Sequence, residues 1–453
     1  MSSPPAFPSL REAFPTWVRI ALLSFGGPAG QIAVMHRILV EEKNWISERR
    51  FLHALNYCML LPGPEAHQLA IYIGWLMHRV RGGLMAGVLF VLPGLVSLGA
   101  LSLIYAAYGE VPLVAAIFFG LKAAVLAIVL EALQRISRRA LKTSASVVIA
   151  GLAFVGIFFG GVPFPLIILA AGLGGMALQR VAPSWLKAAS HGKAQDDGRE
   201  ALIDQTFAHG VPAHVKPSLL RLLKVAVIGG ALWLGPLLAL FVVLGPDNVF
   251  TAIAAFNSKM AVVTFGGAYA VLSYMAQQAV EHFHWLKPSE MLVGLGFAET
   301  TPGPLISVVQ FVGFMAVFRA PGLLNPLLAG TLGGLMAKWS TFVPSFLWIF
   351  MGGPYVEALI GNKALNAALS AITAAVVGVI LNLTVWFALQ SLFHQVDILP
   401  FGGLRFQVPV LATVDWAALA IFAGAAIGLF CFKLGVVTVL AASCAAGLAL
   451  HFI

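Results

Sequence analysis

Charged side chains are scarce in this sequence. Asp, Glu, Lys and Arg make up 10% of the 453 residues, whereas apolar residues make up 60%. A soluble globule of this length needs far more polar side chains to cover its surface. The mean hydropathy of +0.93 points the same way. The composition excludes an ordinary soluble domain and predicts a protein embedded in a membrane.

Cysteine is rare as well. The three cysteines, Cys58, Cys431 and Cys444, lie in apolar stretches without paired spacing. This pattern excludes a disulfide framework and a zinc site, and it predicts packing residues. His282 and His284 form a loop pair without further ligands, which makes a poor metal site. We expect no metal and no cofactor.

Several functional signatures are missing. The chain has no His-Glu-x-x-His pair, no Gly-x-Ser-x-Gly elbow and no phosphate-binding loop, so we do not expect an enzyme. Its first fifteen residues lack the cationic start of a cleavable signal peptide.

The net charge of +9 is concentrated in short loops and a central linker. That distribution encodes membrane orientation, so we expect no nucleic-acid partner.

The chain contains an internal duplication. Ser24-Phe25-Gly26-Gly27-Pro28 recurs 240 residues later as Thr264-Phe265-Gly266-Gly267-Ala268, and Pro62-Gly63-Pro64 recurs as Pro302-Gly303-Pro304. Of the 49 positions from 16 to 64, 13 are identical to the residue 240 further on. Paired Gly/Pro-broken apolar segments in two halves are typical of secondary transporters with a binding site at mid-membrane.

A span of about 20 apolar residues crosses a bilayer as a helix, and about thirteen segments qualify. We therefore predict an all-α polytopic membrane protein with a first repeat at 1–180, a polar cytoplasmic linker at 181–218, an extra helix at 219–244 and a second repeat at 245–453. An odd number of segments separates equivalent points, which predicts inverted topology. The predicted segments are 16–35, 54–78, 84–108, 112–134, 145–161, 163–179, 219–244, 251–277, 291–317, 325–351, 364–392, 414–431 and 434–452.

Loop charges decide between two versions of the first two segments. If segment one crossed fully, Arg37, Lys43, Arg49 and Arg50 would lie outside the cell, against the usual excess of basic residues in cytoplasmic loops. If both broken segments are re-entrant hairpins, these residues stay cytoplasmic. The charges favour the hairpins. Broken backbone at membrane depth must be buried in protein or line a wet cavity.

The broken motifs carry the predicted chemistry. Paired glycines leave backbone amides uncovered, and a following proline suits the first turn of a new helix. Unpaired amides and the helix dipole at such an N-terminus bind anions. The alternative is that the glycines only permit close helix packing. The predicted substrate-binding residues at the motifs are Ser24, Gly26, Gly27, Pro28, Gly63, Thr264, Gly266, Gly267 and Gly303.

Four cations lie in or beside apolar segments. Arg19 and Lys259 lie seven residues before Gly26 and Gly266, on the glycine face of the same helix, and we predict that they attract an anion. Snorkelling to the interface is the alternative. Lys122 is predicted to bind substrate within an apolar run, and Lys338 is a further candidate for the anion pathway.

Two carboxylates are coupling candidates. Glu65 follows Pro64 in the first turn of a helix, where the dipole alone would favour it. The functional interpretation is a protonatable group beside the anion site. Glu299 precedes the second Pro-Gly-Pro motif in the same neighbourhood. His67 is interpreted as an interior histidine with hydrogen-bond partners, not a metal ligand.

These motifs resemble the chromate ion transporters, in their long form with two homologous halves. The resemblance rests on Phe25-Gly26-Gly27-Pro28, on the fifteen residues Leu61–Trp75, on Arg81-Gly82-Gly83 and Leu92-Pro93-Gly94, and on the recurring motifs of the second half. Ala268 replaces the motif proline, so the two half-sites need not be equivalent.

The resemblance implies efflux of chromate from a bacterium across its inner membrane, conferring chromate resistance, with proton coupling as one option. The expected partners are chromate or a sulfate-like oxyanion and membrane lipid, and a homodimer is left open. The alternative substrate is sulfate or another divalent oxyanion, because sulfate has the same charge and shape.

Overall fold

The computed structural model describes residues 7–181, 201–210, 212–265, 268–356, 362–401 and 404–452. Helix dominates the first part of the chain. Short π-helical and 3-10 turns accompany the α-helices. The first of them is a π-helical turn at Arg37–Glu42, which continues α2. The helices before the linker are α1 (Leu10–Leu23), α2 (Gly27–His36), α3 (Glu48–Leu60), α4 (Glu65–Tyr108), α5 (Pro112–Ala140), α6 (Ser144–Phe158) and α7 (Phe164–Val181).

The second part repeats this pattern and adds a β-hairpin. A second π-helical turn spans Gln278–His282, 3-10 turns span Leu305–Val308, Gly353–Tyr355 and Leu411–Thr413, and β1 (Val396–Phe401) pairs antiparallel with β2 (Leu404–Pro409). The helices are α8 (Leu202–Ala208), α9 (Leu219–Leu244), α10 (Val249–Val263), α11 (Ala268–Gln277), α12 (Pro288–Thr300), α13 (Val309–Arg319), α14 (Pro326–Gly352), α15 (Lys363–Leu392), α16 (Trp416–Phe430) and α17 (Val436–His451).

The thirteen predicted segments coincide with these helices. Nine correspond to one helix or to the long second part of α4, and four correspond to pairs broken at the Gly/Pro motifs. Five helices of the described chain are long and apolar enough to cross a membrane: Glu65–Tyr108, Pro112–Ala140, Phe164–Val181, Leu219–Leu244 and Lys363–Leu392. The all-α membrane fold is confirmed. The short β-hairpin and the linker helix α8 were not predicted.

The first two broken segments fold back on themselves. Arg19 Nη1 lies 2.5 Å from Glu42 Oε2, whereas a continuous helix would separate these residues by about 35 Å. In the next segment the rings of Tyr57 and Tyr72 lie 5.3 Å apart, whereas a continuous helix would separate them by about 22 Å. Both segments are therefore helical hairpins, as the loop charges predicted.

The chain reverses again within α4. His78 and Arg79 leave helical geometry, and Arg79 adopts a left-handed φ of 56°. Because of this bend Gly82 packs directly against the backbone of Gly74, so 80–108 runs back along 65–77. His78 Nε2 lies 2.5 Å from the carbonyl oxygen of Pro8, which brings the bend to the start of the chain. The basic loops therefore gather at one end.

The duplication is visible in the backbone as well as in the sequence. At the first π-helical turn Lys43 N–H donates to the Ile38 carbonyl, and the next residue, Asn44, has a φ of 52°. Exactly 240 positions later Phe283 N–H donates to the Gln278 carbonyl, and His284 has a φ of 53°. Such left-handed backbone at non-glycine residues is uncommon, so its recurrence reflects a common origin.

The two repeats have opposite orientations. A hairpin returns the chain to the side it came from. Among the described residues, the helices that lead from the first set of hairpins to the second are the second part of α4, α5, α6, α7 and α9. Five crossings are an odd number. The second repeat therefore starts on the other side of the membrane.

The chain forms two compact units, each built from both repeats. Unit 1 comprises 1–99, 189–268 and 301–362, and unit 2 comprises 100–188, 269–300 and 363–453. The core of unit 1 includes the fully buried side chains of Trp17, Ile20, Met35, Phe51 and Tyr57, which pack the hairpins together. In unit 2, Gly120 and Gly447 let α5 and α17 approach backbone to backbone, as small residues do between membrane helices.

The linker is anchored to unit 1 by α8. Arg50 Nε donates to Asp204 Oδ1 at 2.7 Å, and Ser47 N–H donates to Oδ2 at 3.3 Å. Leu202 N–H donates to the Asn44 carbonyl at 3.1 Å. Burial of Asp204 by itself raises its pKa, but the hydrogen bonds from Arg50 and Ser47 outweigh it and lower the pKa. The loop between the two hairpins is therefore held by the linker.

Candidate functional site

The broken motifs of the two repeats are joined to each other in unit 1. Gly63 N–H donates to the Thr264 carbonyl at 2.9 Å, and Gly303 N–H donates to the Ser24 carbonyl at 2.8 Å. Ser24 aligns with Thr264 and Gly63 with Gly303, so the two bonds are related by a pseudo-twofold axis. Gln31, buried on α2, also donates to the Gly303 carbonyl at 2.6 Å. The second break of each repeat is thus tied to the first break of the other.

Ser24 and Thr264 use their hydroxyl groups to close a helix end. Ser24 Oγ donates to the Ile20 carbonyl and Thr264 Oγ1 to the Met260 carbonyl, each at 2.6 Å. Both side chains are buried. A hydroxyl has one proton, so neither group can donate to an anion while this bond lasts. In this structure they stabilise the C-terminal ends of α1 and α10.

Gly26 and Gly27 have the geometry expected of uncovered amides. Their φ angles are +77° and +72°, and a Cβ added to either would meet nothing within 4 Å. Pro28 follows in the first turn of α2, and no side chain caps that helix end. No protein atom therefore occupies the space into which a side chain at either glycine would project. Gly266 and Gly267, predicted for the same function, lie outside the described residues.

The second breaks are more tightly packed. A Cβ on Gly63 would lie 2.6 Å from Gln68 Nε2 and 3.2 Å from Ser345 Oγ. At the second break of the other repeat, the Pro302 carbonyl packs against Gly94 of α4. The N–H groups of Gly63 and Gly303 are already used in the bonds described above. Anion binding at the second breaks must therefore use groups other than these two amides.

The predicted coupling residues lie in different units. Glu65 is the first residue of α4, directly after the break, and is partly buried. It forms no ion pair with any residue that the structure describes. Glu299 is buried in unit 2, where Tyr269 Oη donates to its carboxylate at 2.6 Å. Glu299 therefore belongs to a buried hydrogen-bonded pair, and Glu65 adjoins the joined breaks.

The predicted cations are not gathered at the breaks. Arg19 is half-exposed and engaged by Glu42. Lys259 is exposed on α10. Lys122 lies on α5 in unit 2, with its Nζ 6.0 Å from the ring centroid of Phe119. Their function in substrate binding stays a prediction.

Two interior residues show more than the sequence indicated. His67 is fully buried and Nε2 lies 3.2 Å from the Gly87 carbonyl, but Nδ1 has no hydrogen-bond partner among the described residues. Lys338 on α14 is 4% exposed, and its Nζ likewise has none. Gln31, which joins the repeats, was not singled out at all. The only available signal was a polar residue inside an apolar helix.

Metal ligation has no support in the described residues, which contain no group of three or more His, Cys, Asp or Glu side chains placed to hold an ion. Cys58 is buried, Cys444 is partly buried and Cys431 is exposed, and all three are free thiols.

Comparison with known proteins decides the family. The chromate transporter family model matches residues 11–176 and again residues 251–448. The chain belongs to the chromate transporter family. The double match falls on both repeats and omits the linker and α9. This is a family of transporters, and the chain is a multi-pass membrane protein. The family model matches twice, so the two halves of the chain are two copies of the same repeat.

Two of the relatives align with most of this chain, and a shorter one aligns with about a third of it. A chromate transport protein of Pseudomonas aeruginosa is 30% identical over 418 residues, covering 91% of this chain and 88% of that protein. One from Cupriavidus metallidurans is 28% identical over 385 residues, covering 85% and 84%. An uncharacterized transporter of Bacillus subtilis is 27% identical over 161 residues, covering 35% of this chain and 90% of its own. No solved structure matches.

Proposed function

We propose that this protein exports chromate across the inner membrane of a bacterium and thereby confers chromate resistance. The observation that carries the proposal is the family match together with the joined breaks of unit 1, where open space adjoins the two glycines at the start of α2. Backbone amides at a helix start bind anions without needing a cationic side chain. A relative of similar length is named a chromate transport protein.

The membrane potential can drive this direction of transport. A dianion that leaves a cell with a negative interior gains about 2.3 kcal/mol per charge per 100 mV, or roughly 4.6 kcal/mol. Export therefore needs no ATP. Glu65 lies beside the breaks, and its protonation would reduce negative charge next to a bound anion, which is the physical basis for proton coupling.

The proposed binding residues are Gly26 and Gly27 with the equivalent Gly266 and Gly267. The proposed halves are residues 1–180 and 245–453, with 219–244 as the inverting helix. Lipid surrounds the apolar helices, such as α9, of which the most apolar window is only 6% buried inside the protein. A homodimer stays a prediction.

Everted membrane vesicles test the direction and the substrate. We expect vesicles containing the protein to accumulate chromate when the lumen is made positive, and sulfate to compete weakly. Vesicles of the opposite orientation should lose preloaded chromate under a potential that is negative inside. Chromate movement that ignores the potential, or sulfate uptake faster than chromate uptake, would contradict the proposal.

The pH gradient is set separately in the same vesicles. If protons are exchanged for chromate, an imposed pH gradient at zero voltage changes the chromate flux, and Glu65→Gln removes that dependence. A Glu65→Gln variant with an unchanged pH profile would exclude this residue from coupling.

A further inference from the structure

Unit 1 buries a lysine without a counter-ion. Lys338 is 4% exposed, and its Nζ has no hydrogen bond or ion pair with any described residue. Its Nζ lies 5.9 Å from the ring centroid of Phe342. An ammonium group taken out of water without a partner is strongly destabilised. Such a group is stabilised when an anion binds to it.

Two other buried polar atoms without partners in the described chain lie nearby, one of them on a histidine that packs against the ring of Phe342. The ring of His67 lies 5.2 Å from that of Phe342 and 5.3 Å from that of Phe346. His67 Nδ1 and Ser345 Oγ are both buried and lack hydrogen-bond partners among the described residues. Lys338, Phe342 and Ser345 follow one another at intervals of four and three residues, which puts them on one face of α14.

This cluster adjoins one of the joined breaks. Ser345 Oγ is 3.2 Å from the position that a Cβ on Gly63 would occupy. His67 lies in the first turn of α4, three residues after Pro64. The start of α4, an imidazole and a hydroxyl therefore lie beside the break at 61–64, and the buried ammonium lies two helical turns before Ser345 on the same face of α14.

The pseudo-equivalent place in the other repeat lacks these groups. In the alignment of the repeats, Lys338 corresponds to Gly87 and Ser345 to Gly94, both at an offset of 251, and His67 corresponds to Ser307 at an offset of 240. The aligned positions of the other half-site thus hold two glycines and a serine in place of the cation, the hydroxyl and the imidazole. The two half-sites have diverged in charge.

We propose that the transported oxyanion binds at the half-site formed by the start of α4 and by α14, with Lys338 as its counter-ion and Ser345 as a hydrogen-bond donor. The inference rests on the proposed function and adds a second group of residues that holds the exported anion, besides the glycines at the first breaks. An ammonium offers three donors, and a hydroxyl offers one. A tetrahedral oxyanion accepts hydrogen bonds at every oxygen, so it can use all of them.

Chromate binding to the purified full-length protein in detergent tests the proposal, measured as thermal stabilisation over a titration with chromate, sulfate and nitrate. We expect Lys338→Met to weaken chromate binding roughly ten- to hundredfold, the value of a charge-assisted hydrogen bond, and Lys338→Arg to retain most of it. Lys224→Met, which removes an exposed lysine from α9, is the matched control and should bind as the wild type does.

A pair of serine variants tests the asymmetry with little risk to folding. Ser345→Ala should weaken chromate binding several-fold, and Ser307→Ala, the same change at a buried serine of the other half-site, should leave it unchanged. Equal effects of these two variants, or wild-type affinity in Lys338→Met, would overturn the inference alone. Absence of chromate binding by the wild-type protein would overturn both the inference and the proposed function.

Discussion

Gly63 donates its backbone N–H to the carbonyl oxygen of Thr264 at 2.9 Å, and Gly303 makes the same bond to Ser24 at 2.8 Å. In hydrocarbon an unsatisfied backbone group costs several kcal/mol, so neither repeat can leave these groups unpaired. Each repeat satisfies the other at the breaks. The duplication therefore built a site that one repeat of this chain does not complete by itself.

Cutting the chain in the linker tests this dependence. We expect residues 1–190 and 191–453, expressed together as two chains, to co-purify in detergent, because unit 1 is built from both. Residues 1–190 expressed alone should be degraded or aggregate. A stable, monodisperse first fragment that binds chromate would contradict the dependence.

Gly63 and Gly303 should respond differently to the same substitution. Both have φ angles above +100°, so alanine introduces strain of about 1–3 kcal/mol at either position. At Gly63 the new Cβ would also lie 2.6 Å from Gln68 Nε2, which donates to the Pro62 carbonyl, whereas at Gly303 the nearest atom is 3.5 Å away. Gly63→Ala should therefore lower the melting temperature more than Gly303→Ala. A larger loss of melting temperature in Gly303→Ala would show that Gly63 is not the more tightly packed of the two glycines.

Gly27→Leu should abolish chromate flux and leave membrane insertion intact, because a side chain would occupy the space beside the α2 amides. Gly322→Leu is the matched control. Gly322 has a similar φ of +62°, also has nothing within 4 Å of an added Cβ, and lies in the exposed turn before α14. Flux and the amount of membrane-inserted protein are measured together. Loss of flux in both variants would point to backbone strain and not to blocked amides.

The α8 anchor should depend on pH in a definite direction. The folded pKa of Asp204 is lowered, so its stabilisation is present above the unfolded value of about 3.9 and is lost as the pH falls through the lower folded value. Hydrogen exchange at 202–208 should be slow at pH 7 and should rise only in strong acid. Asp204→Asn should raise it already at pH 7. Fast exchange of the wild type at neutral pH would show that α8 is not docked.

The sequence was sufficient to locate the breaks, because Gly-Gly and Pro-Gly-Pro are visible against an apolar background. The basic residues Arg37, Lys43, Arg49 and Arg50 were sufficient to predict the hairpins. Both signals are local. They depend on residue type and on position along the chain, which a single sequence displays directly.

Pairings over long separations were not predictable in the same way. Nothing in the residue types of Gly63 and Thr264 indicates that one donates to the other, since backbone groups are common to all residues. Arg19 was predicted to face the glycines because it lies on their helix face, but the hairpin brings Glu42 to it instead. His67 was expected to be satisfied, and one of its nitrogens is not satisfied within the described chain. These features follow from tertiary packing.

Purified protein reconstituted into liposomes gives the most direct test of a chromate carrier that uses the joined breaks. Chromate flux is measured under an imposed potassium-diffusion potential, in the wild type and in Gly27→Leu at equal incorporation. We predict saturable flux toward the positive side that rises with voltage in the wild type and disappears in the variant. Voltage-independent wild-type flux, or undiminished flux in Gly27→Leu, would contradict the account.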